Sequence, residues 1–202
     1  GPGHRLPPMT ELSQPGQYAA RETVEVVGPR RSIPGVRVLG PPRGETQVEL
    51  AVTDGVVLGI NIPVRLSGDI QGTPGVHLVG PRGAVKLRQG CICAVRHLHC
   101  TPADAARLGV VDGQKVYARF PGPRSLIFDE VVVRVSDKYA TELHLDTDEG
   151  NAAGIRSGQR AEIVPSLCRD LCGQDACPIA PGERPGESRP YCDFTRDAVT
   201  FH

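Results

Sequence analysis

Two histidines separated by one residue stand out in the stretch AVRHLHC, residues 94–100. Alternate residues of a β-strand point to the same side, so a strand here would project His97 and His99 together and turn Leu98 and Cys100 the other way. Two imidazoles placed in this way can converge on one zinc ion at about 2.0–2.1 Å. The pair by itself is more typical of a solvated strand face than of a metal site.

A third histidine comes from ELHLD, a second run with strand-like alternation that contains His144. Three histidines around one ion, with the fourth position open, form the pattern of a catalytic rather than a structural zinc site. With His144 included, a metal site and a polar strand face are equally good interpretations. Cys91 and Cys93 are rival ligands, although cysteines in such runs are more often small buried strand residues.

Two further polar segments contain side chains that could bind an anion. LGPPRGETQVEL places Arg43 in a Gly/Pro turn and Glu49 in the strand-like run that follows. An arginine can hold a phosphate or a carboxylate through two parallel hydrogen bonds. RLSGDIQGTPG is a polar loop with Ser67 and Asp69 between glycines. Neither segment is specific by itself, and no GxSxG frame indicates a protein nucleophile.

Short strands joined by many turns must position these residues. The 202 residues include 24 Gly and 19 Pro, which lie between Val-rich runs such as VRVLG, VHLVG and EVVVRV. This spacing predicts an all-β barrel or sandwich. The best helical signal is TPADAARLG, with Thr101 as the N-cap, Pro102 in the first helical position and Gly109 as the stop.

The chain repeats two of its frames. Residues 25–41 share VGPR and PGV with residues 73–87, and residues 104–120 share an AA…G…GQ[KR] frame with residues 150–164. Each copy predicts a helix or turn that leads into a strand. The duplication indicates two related β-barrel units with a site at their junction; the alternative is chance similarity among Gly-rich turns.

Composition excludes several classes of protein. The 23 basic and 23 acidic side chains give a formal net charge of zero without a basic run, so the electrostatic footprint of a nucleic-acid-binding protein is missing. The apolar runs are too short for a membrane-spanning helix, and no charged start precedes an apolar signal segment. The odd number of cysteines, 7, favours a reducing cytosol over a disulfide framework.

Several stretches taken together resemble the phosphate propanoyltransferases, a family of phosphotransacylases. They are LSQPGQYAARETV, VRVLGPPRGETQVEL, PVRLSGDIQGTPGVHLVGPRG, RHLHCTPADAARLGVVDGQ, LIFDEVVVRVS and LHLDTDEGNAAG, and the resemblance covers residues 1–164 nearly without gaps. It implies a mainly β fold of two small β-barrel domains with short helices, and an active site with two metal ions, usually zinc, at the junction. It also implies the exchange of coenzyme A for phosphate on a short acyl group such as propanoyl or acetyl.

The resemblance implies roles for individual residues. It implies that one metal, near the phosphate, is held by the histidines of the two strand-like runs: His97, His99 and His144. Glu49 is implied as a ligand of the other metal, near the coenzyme A sulfur. Arg43 is implied as a catalytic and phosphate-contacting residue, Asn151 as a second phosphate contact, and Ser67 as a residue of the active site.

The chain departs from the family pattern at one place. The family has a second His-x-His motif upstream of a segment like GPGHRL, with which this sequence begins, and His4, His77 and His202 lack that pattern. We therefore expect two zinc ions per complete chain, one zinc in these 202 residues, and little activity. A zinc-dependent hydrolase and a catalytically incomplete β-barrel binding module are the alternative functions.

The domains expected are residues 1–95 as a first β-barrel domain lacking its N-terminal part, 96–165 as a second, and 166–202 as a Cys/Pro-rich extension. The cysteines of the extension could form a zinc knot, although a flexible tail with incidental cysteines is the favoured interpretation: Cys168, Cys172, Cys177 and Cys192.

The partners expected are acyl-CoA and phosphate, a second copy of the chain, and the shell or cargo of a bacterial microcompartment. Nucleic acid and membrane are not expected as partners. The location expected is the bacterial cytoplasm, including the microcompartment interior, where members of the family serve propanediol degradation. The sequence leaves open which acyl chain is preferred.

Overall fold

The fold was obtained as a computed structural model, which describes residues 6–42, 44–164 and 198–200. Arg43 and the four cysteines of the C-terminal extension lie outside the described residues. Within the described residues the chain is mainly β, as expected, with three short helices. None of these helices has the length and apolar character that crossing a membrane requires.

The elements follow one another as short strands interrupted by helices of seven residues each. In chain order the strands are β1 (Pro8–Glu11), β2 (Tyr18–Val27), β3 (Ser32–Gly40), β4 (Val48–Glu49), β5 (Val64–Arg65), β6 (His77–Gly80), β7 (Gly83–Lys86), β8 (Cys91–Ala94), β9 (His97–Cys100), β10 (Lys115–Phe120), β11 (Leu126–Val135), β12 (Glu142–His144), β13 (Arg160–Val164) and β14 (Ala198–Thr200). The helices are α1 (Val52–Leu58), α2 (Pro102–Leu108) and α3 (Thr147–Ala153).

The chain divides into two compact units. The first unit extends to Val95 and also includes Leu145–Asn151, whereas the second comprises Arg96–His144 and the chain from Ala152 onward. The backbone therefore passes between the units three times, and α3 belongs in part to each of them.

The first unit contains two sheets. In the larger sheet β2 pairs with β1, β3 and β6, and β6 pairs with β7, all antiparallel. In the smaller sheet β8 lies between β4 and β5 and runs parallel to both. Strands of both sheets and α1 supply one hydrophobic core, which consists of Val26, Val48, Leu50, Leu58, Ile62, Val76, Cys91 and Cys93.

The second unit is built on one six-stranded sheet with the order β12-β9-β11-β10-β13-β14. β9 runs parallel to β11 and antiparallel to β12. Phe120 and Phe128 pack edge to face with their ring centroids 5.9 Å apart. The sheet buries a further set of aliphatic side chains, which includes Leu98, Val116, Val131, Val133, Leu143 and Ile163.

The run CICAVRHLH, residues 91–99, contributes to two strands in different units, β8 and β9. The amide of Val95 still donates to the carbonyl of Arg65 in the first unit. The carbonyl of Arg96 instead accepts from Val132 in the second unit. The apolar pattern continues through this change because both strands are buried, so hydrophobicity alone does not mark the break.

The helix predicted at TPADAARLG is confirmed. Thr101 has an extended backbone, and its Oγ1 accepts a hydrogen bond from the amide of Asp104 at 3.1 Å. Gly109 ends the helix with φ of 68°, a left-handed conformation that costs glycine little. The helix predicted at GNAAG also exists, but it begins earlier, at Thr147.

The internal repeats fall within single sheets rather than one copy in each unit. Both VGPR segments belong to the larger sheet of the first unit, where β2 and β6 are neighbours. The GQ[KR] frames precede β10 and β13, which pair with each other. In these frames Gln114 Oε1 accepts from the amide of Val111 at 3.0 Å, and Gln159 Oε1 accepts from that of Arg156 at 2.7 Å. The repeated glutamine therefore closes the turn before a strand.

Candidate metal centre

Strand pairing in the second unit brings the three predicted histidines to one face of the sheet. His144 of β12 lies directly opposite His97 of β9 in the antiparallel register, and Leu143 lies opposite Leu98. Leu98 and Leu143 are completely buried. Because successive strand residues alternate between faces, burying these two leucines turns the histidines to the opposite face.

The three imidazole rings form a nearly equal-sided triangle. The centroid of His97 is 4.7 Å from that of His99 and 4.8 Å from that of His144, and His99 and His144 are 4.7 Å apart. One ligand atom of each ring lies within 4.8 Å of the others. The group could therefore hold a metal ion.

The environment of His99 suits a metal ligand. Its side chain is 7 % exposed, and neither ring nitrogen has a hydrogen-bond partner among the described residues. Leaving a buried polar atom unpaired costs about 1–3 kcal/mol, and a bound cation would satisfy one of these nitrogens. Burial lowers the pKa of His99 to about 3, and the charges of His97, His144 and Arg134 act in the same direction. The ring is therefore neutral at pH 7, which is the form that binds metal.

Two residues near the histidines were not identified from the sequence. The Tyr139 ring stacks on His99 with a centroid distance of 4.0 Å and an angle of 18°. Glu142 is 1 % exposed, and its Oε2 lies 3.1 Å from Nε2 of His144. Glu142 precedes His144 by two residues, so strand alternation could have placed it on the histidine face, but its burial depends on tertiary packing.

Glu49 and Ser67 belong to the first unit, where they lie side by side. Oε1 of Glu49 accepts hydrogen bonds from Ser67 Oγ at 3.0 Å and from Gln47 Nε2 at 2.5 Å. Oε1 of Gln47 in turn accepts from the amide of Gly68 at 2.7 Å. Gln47 therefore joins two of the predicted site residues, and it was missed because a glutamine before a strand carries no chemical signature.

The remaining predicted site residues are Asn151 and Arg43, and the rival ligands are Cys91 and Cys93. Asn151 lies in the last turn of α3 and is exposed, whereas Arg43 is outside the described residues. Cys91 and Cys93, the rival ligands, are buried in the core of the first unit. Cys93 Sγ donates to Asp146 Oδ2 at 3.0 Å. Burial, more than the neighbouring carboxylates, raises the pKa of Cys93 to about 12, so without a bound cation its thiol stays protonated at neutral pH.

Fold and centre together define a mainly β chain whose second unit can hold a metal ion between three histidines. The family model for phosphate propanoyltransferase matches residues 1–156. The chain is 49% identical over 164 residues to a phosphate propanoyltransferase of Listeria monocytogenes, a match that covers 81% of this chain and 77% of the relative.

Other relatives match to the same extent. The phosphate propanoyltransferase of Thermotoga maritima is 51% identical over 165 residues, which cover 81% of this chain and 79% of the relative. That of Clostridioides difficile is 47% identical over 164 residues, 81% of this chain and 78% of the relative. The chain therefore belongs to the phosphate propanoyltransferase family, whose members are transferases acting on acyl groups.

Proposed function

We propose that the protein interconverts a short-chain acyl-CoA plus phosphate with an acyl phosphate plus coenzyme A, with propanoyl or acetyl as the acyl group. The observation that carries this proposal is the convergence of His97, His99 and His144 in a member of the phosphate propanoyltransferase family. A phosphate oxygen attacks the thioester carbonyl carbon, a C–O bond forms, and the C–S bond breaks to release the thiolate. Because phosphate is itself the nucleophile, no nucleophilic side chain is needed.

The metal proposed at the three histidines is zinc. Neutral imidazoles are preferred zinc ligands, and three of them leave a coordination position for substrate. Zinc bound there supplies charge stabilisation and orientation for a phosphate oxygen. The protein's own contribution is to hold three rings in place, since Leu98 and Leu143 anchor the strands beneath them.

Residues beyond the three histidines complete the proposed site. Glu49 supplies one carboxylate to a second zinc near the coenzyme A sulfur, which gives two zinc ions in the complete enzyme. Its hydrogen bonds from Gln47 and Ser67 support this role, because they orient the carboxylate. Arg43 offsets the negative charge that builds on the phosphate and carbonyl oxygens, and Asn151 contributes a phosphate contact.

The remaining parts of the proposal follow from the family resemblance. The domains proposed are two β-barrel domains, residues 1–95 and 96–165, followed by an extension over 166–202. The enzyme forms a homo-oligomer and works in the bacterial cytoplasm, including the interior of a microcompartment.

The test is the release of free thiol from propanoyl-CoA, measured with and without phosphate on a chain that carries an upstream His-x-His segment. We expect release that requires phosphate and is matched by acyl phosphate formation. His97→Ala should reduce it on the order of 100-fold or more, since a metal ligand is lost. His77→Ala should leave it unchanged, because His77 is exposed on β6 of the first unit.

Two results would overturn the proposed reaction. Thiol release that ignores phosphate would identify a zinc-dependent hydrolase. A folded protein that neither binds metal nor releases thiol would identify a β-barrel binding module.

A further inference from the structure

We propose that Glu142 is a positioning residue of the metal centre: its carboxylate accepts the Nε2–H of His144 and so assigns Nδ1 of that ring to the metal. This inference rests on the proposed function, because it concerns the ion held by His97, His99 and His144. It adds a residue that does not touch substrate and acts through a ligand.

The carboxylate of Glu142 is buried. Glu142 is 1 % exposed, and removing a carboxylate from water costs several kcal/mol unless hydrogen bonds or opposite charge compensate. Its Oε2 lies 3.1 Å from Nε2 of His144, within hydrogen-bond distance for a donating N–H.

Glu142 lies on the same face of the sheet as the three histidines. Across three neighbouring strands, Arg134, His99 and Glu142 share one row of the register, and Val132, His97 and His144 share the next. Glu142 therefore lies on the histidine face, one row from the ring that it contacts. Arg134 of β11 occupies the other end of its row.

Glu142 contacts a histidine of the metal centre without belonging to the group of ligand atoms. The ligand atoms that lie within 4.8 Å of one another come from the three histidines, and Glu142 is not among this group. A histidine that binds metal through one nitrogen usually donates the other N–H to a carboxylate or carbonyl, which fixes its tautomer and orientation. With Glu142 in that role, the fourth coordination position stays open for a phosphate oxygen.

The decisive experiment determines which nitrogen of His144 carries the proton in the zinc-loaded protein. Long-range ¹H–¹⁵N spectra of histidine-labelled protein distinguish a protonated from a metal-bound nitrogen. We expect the protonated signal at Nε2 of His144 and the metal-bound signal at Nδ1. Metal bound at Nε2 would overturn the inference without the need for any variant.

A second measurement uses Glu142→Gln and zinc competition with a chelator. We expect zinc affinity to fall by about 10- to 100-fold. The visible absorption spectrum of the cobalt-substituted variant should match that of the cobalt-substituted wild type, because the number of ligands is unchanged. The matched control is Glu162→Gln, because Glu162 is a partly buried strand carboxylate of the same sheet that pairs with Arg119 at 2.7 Å. This control should bind zinc as the wild type does.

The outcomes distinguish this inference from the proposed function. Unchanged zinc affinity in a folded Glu142→Gln, or a cobalt spectrum that shows the loss of a ligand, would overturn the positioning role alone. Metal binding that persists in His97→Ala would instead overturn the proposed metal centre. Circular dichroism of the metal-free variant identifies a loss of affinity that arises from misfolding.

Discussion

At the scale of single residues, His99 is the candidate metal ligand whose surroundings are most completely defined. Its ring is held between the strand and Tyr139, whose backbone amide closes a turn by donating to the carbonyl of Ser136. The ring is therefore oriented before a metal arrives. Pre-orientation of this kind reduces the entropy lost on binding and raises affinity without a new contact to the ion.

The role of Tyr139 can be tested with two substitutions. Tyr139→Ala removes a stacked pair worth about 0.5–1.5 kcal/mol, so zinc affinity should fall roughly 2- to 10-fold. Tyr139→Phe keeps the stacked ring and should bind zinc nearly as the wild type does. Chelator competition measures both affinities. Equal losses in the two variants would mean that the hydroxyl, rather than the stacking, matters.

At the scale of elements, the beginning of α2 is tied to the segment that starts β12. Asp104 Oδ2 accepts hydrogen bonds from Thr141 Oγ1 at 2.5 Å and from Thr101 Oγ1 at 2.9 Å. Thr141 Oγ1 in turn accepts from the amide of Thr101 at 3.3 Å. Since β12 begins at Glu142, the cap of a helix also anchors the strand that carries His144.

Asp104 should make stability depend on pH. The hydrogen bonds from Thr141, Thr101 and Arg107 hold the pKa of Asp104 below its ordinary value of 3.8. The unfolded chain then binds more protons than the folded one in acid, so the stabilisation is complete above about pH 4 and is lost as pH falls through the folded-state pKa. Asp104→Asn should be less stable than the wild type at pH 7 by about 0.5–2 kcal/mol, and the difference should shrink in acid.

Urea denaturation at several pH values measures this effect. Asp137→Asn is the control, because Asp137 is an exposed carboxylate of the same unit. A difference between Asp104→Asn and wild type that stays constant from pH 7 to strong acid would contradict the expectation.

At the scale of the whole molecule, the three histidines all belong to the second unit. They come from β9 and β12, two strands that are separated in sequence by α2, β10 and β11. A metal bound to all three would link these strands. A ligand that binds only the folded state stabilises it by about 2.7 kcal/mol at a concentration of 100 times the dissociation constant. Metal binding should therefore stabilise the contact between these two strands.

Zinc should raise the melting temperature of the metal-free protein, and chelator should reverse the increase. Hydrogen exchange should slow first in β9, β11 and β12 rather than in β2 and β3. His97→Ala should abolish both effects, whereas His77→Ala should retain them. An increase in melting temperature that survives His97→Ala would place the metal elsewhere.

The sequence by itself determined the local features of this protein. Strand alternation placed His97 and His99 on one side, and the capping residues of TPADAARLG defined α2, because both depend only on near neighbours. The motifs also identified the family. These features follow from the period of two in strands and from hydrogen bonds at helix ends. Both involve residues that are close together in the sequence, so the sequence pattern is enough to predict them.

Only the tertiary structure decided which distant residues meet. A period of two assigns a side chain to a face of its own strand, but it does not select the neighbouring strand or the register. The register that buries Leu98 against Leu143 brought His144 opposite His97 and carried Glu142 into the interior beside it. Backbone hydrogen bonds between β9 and β12 and the joint burial of Leu98 and Leu143 select this register.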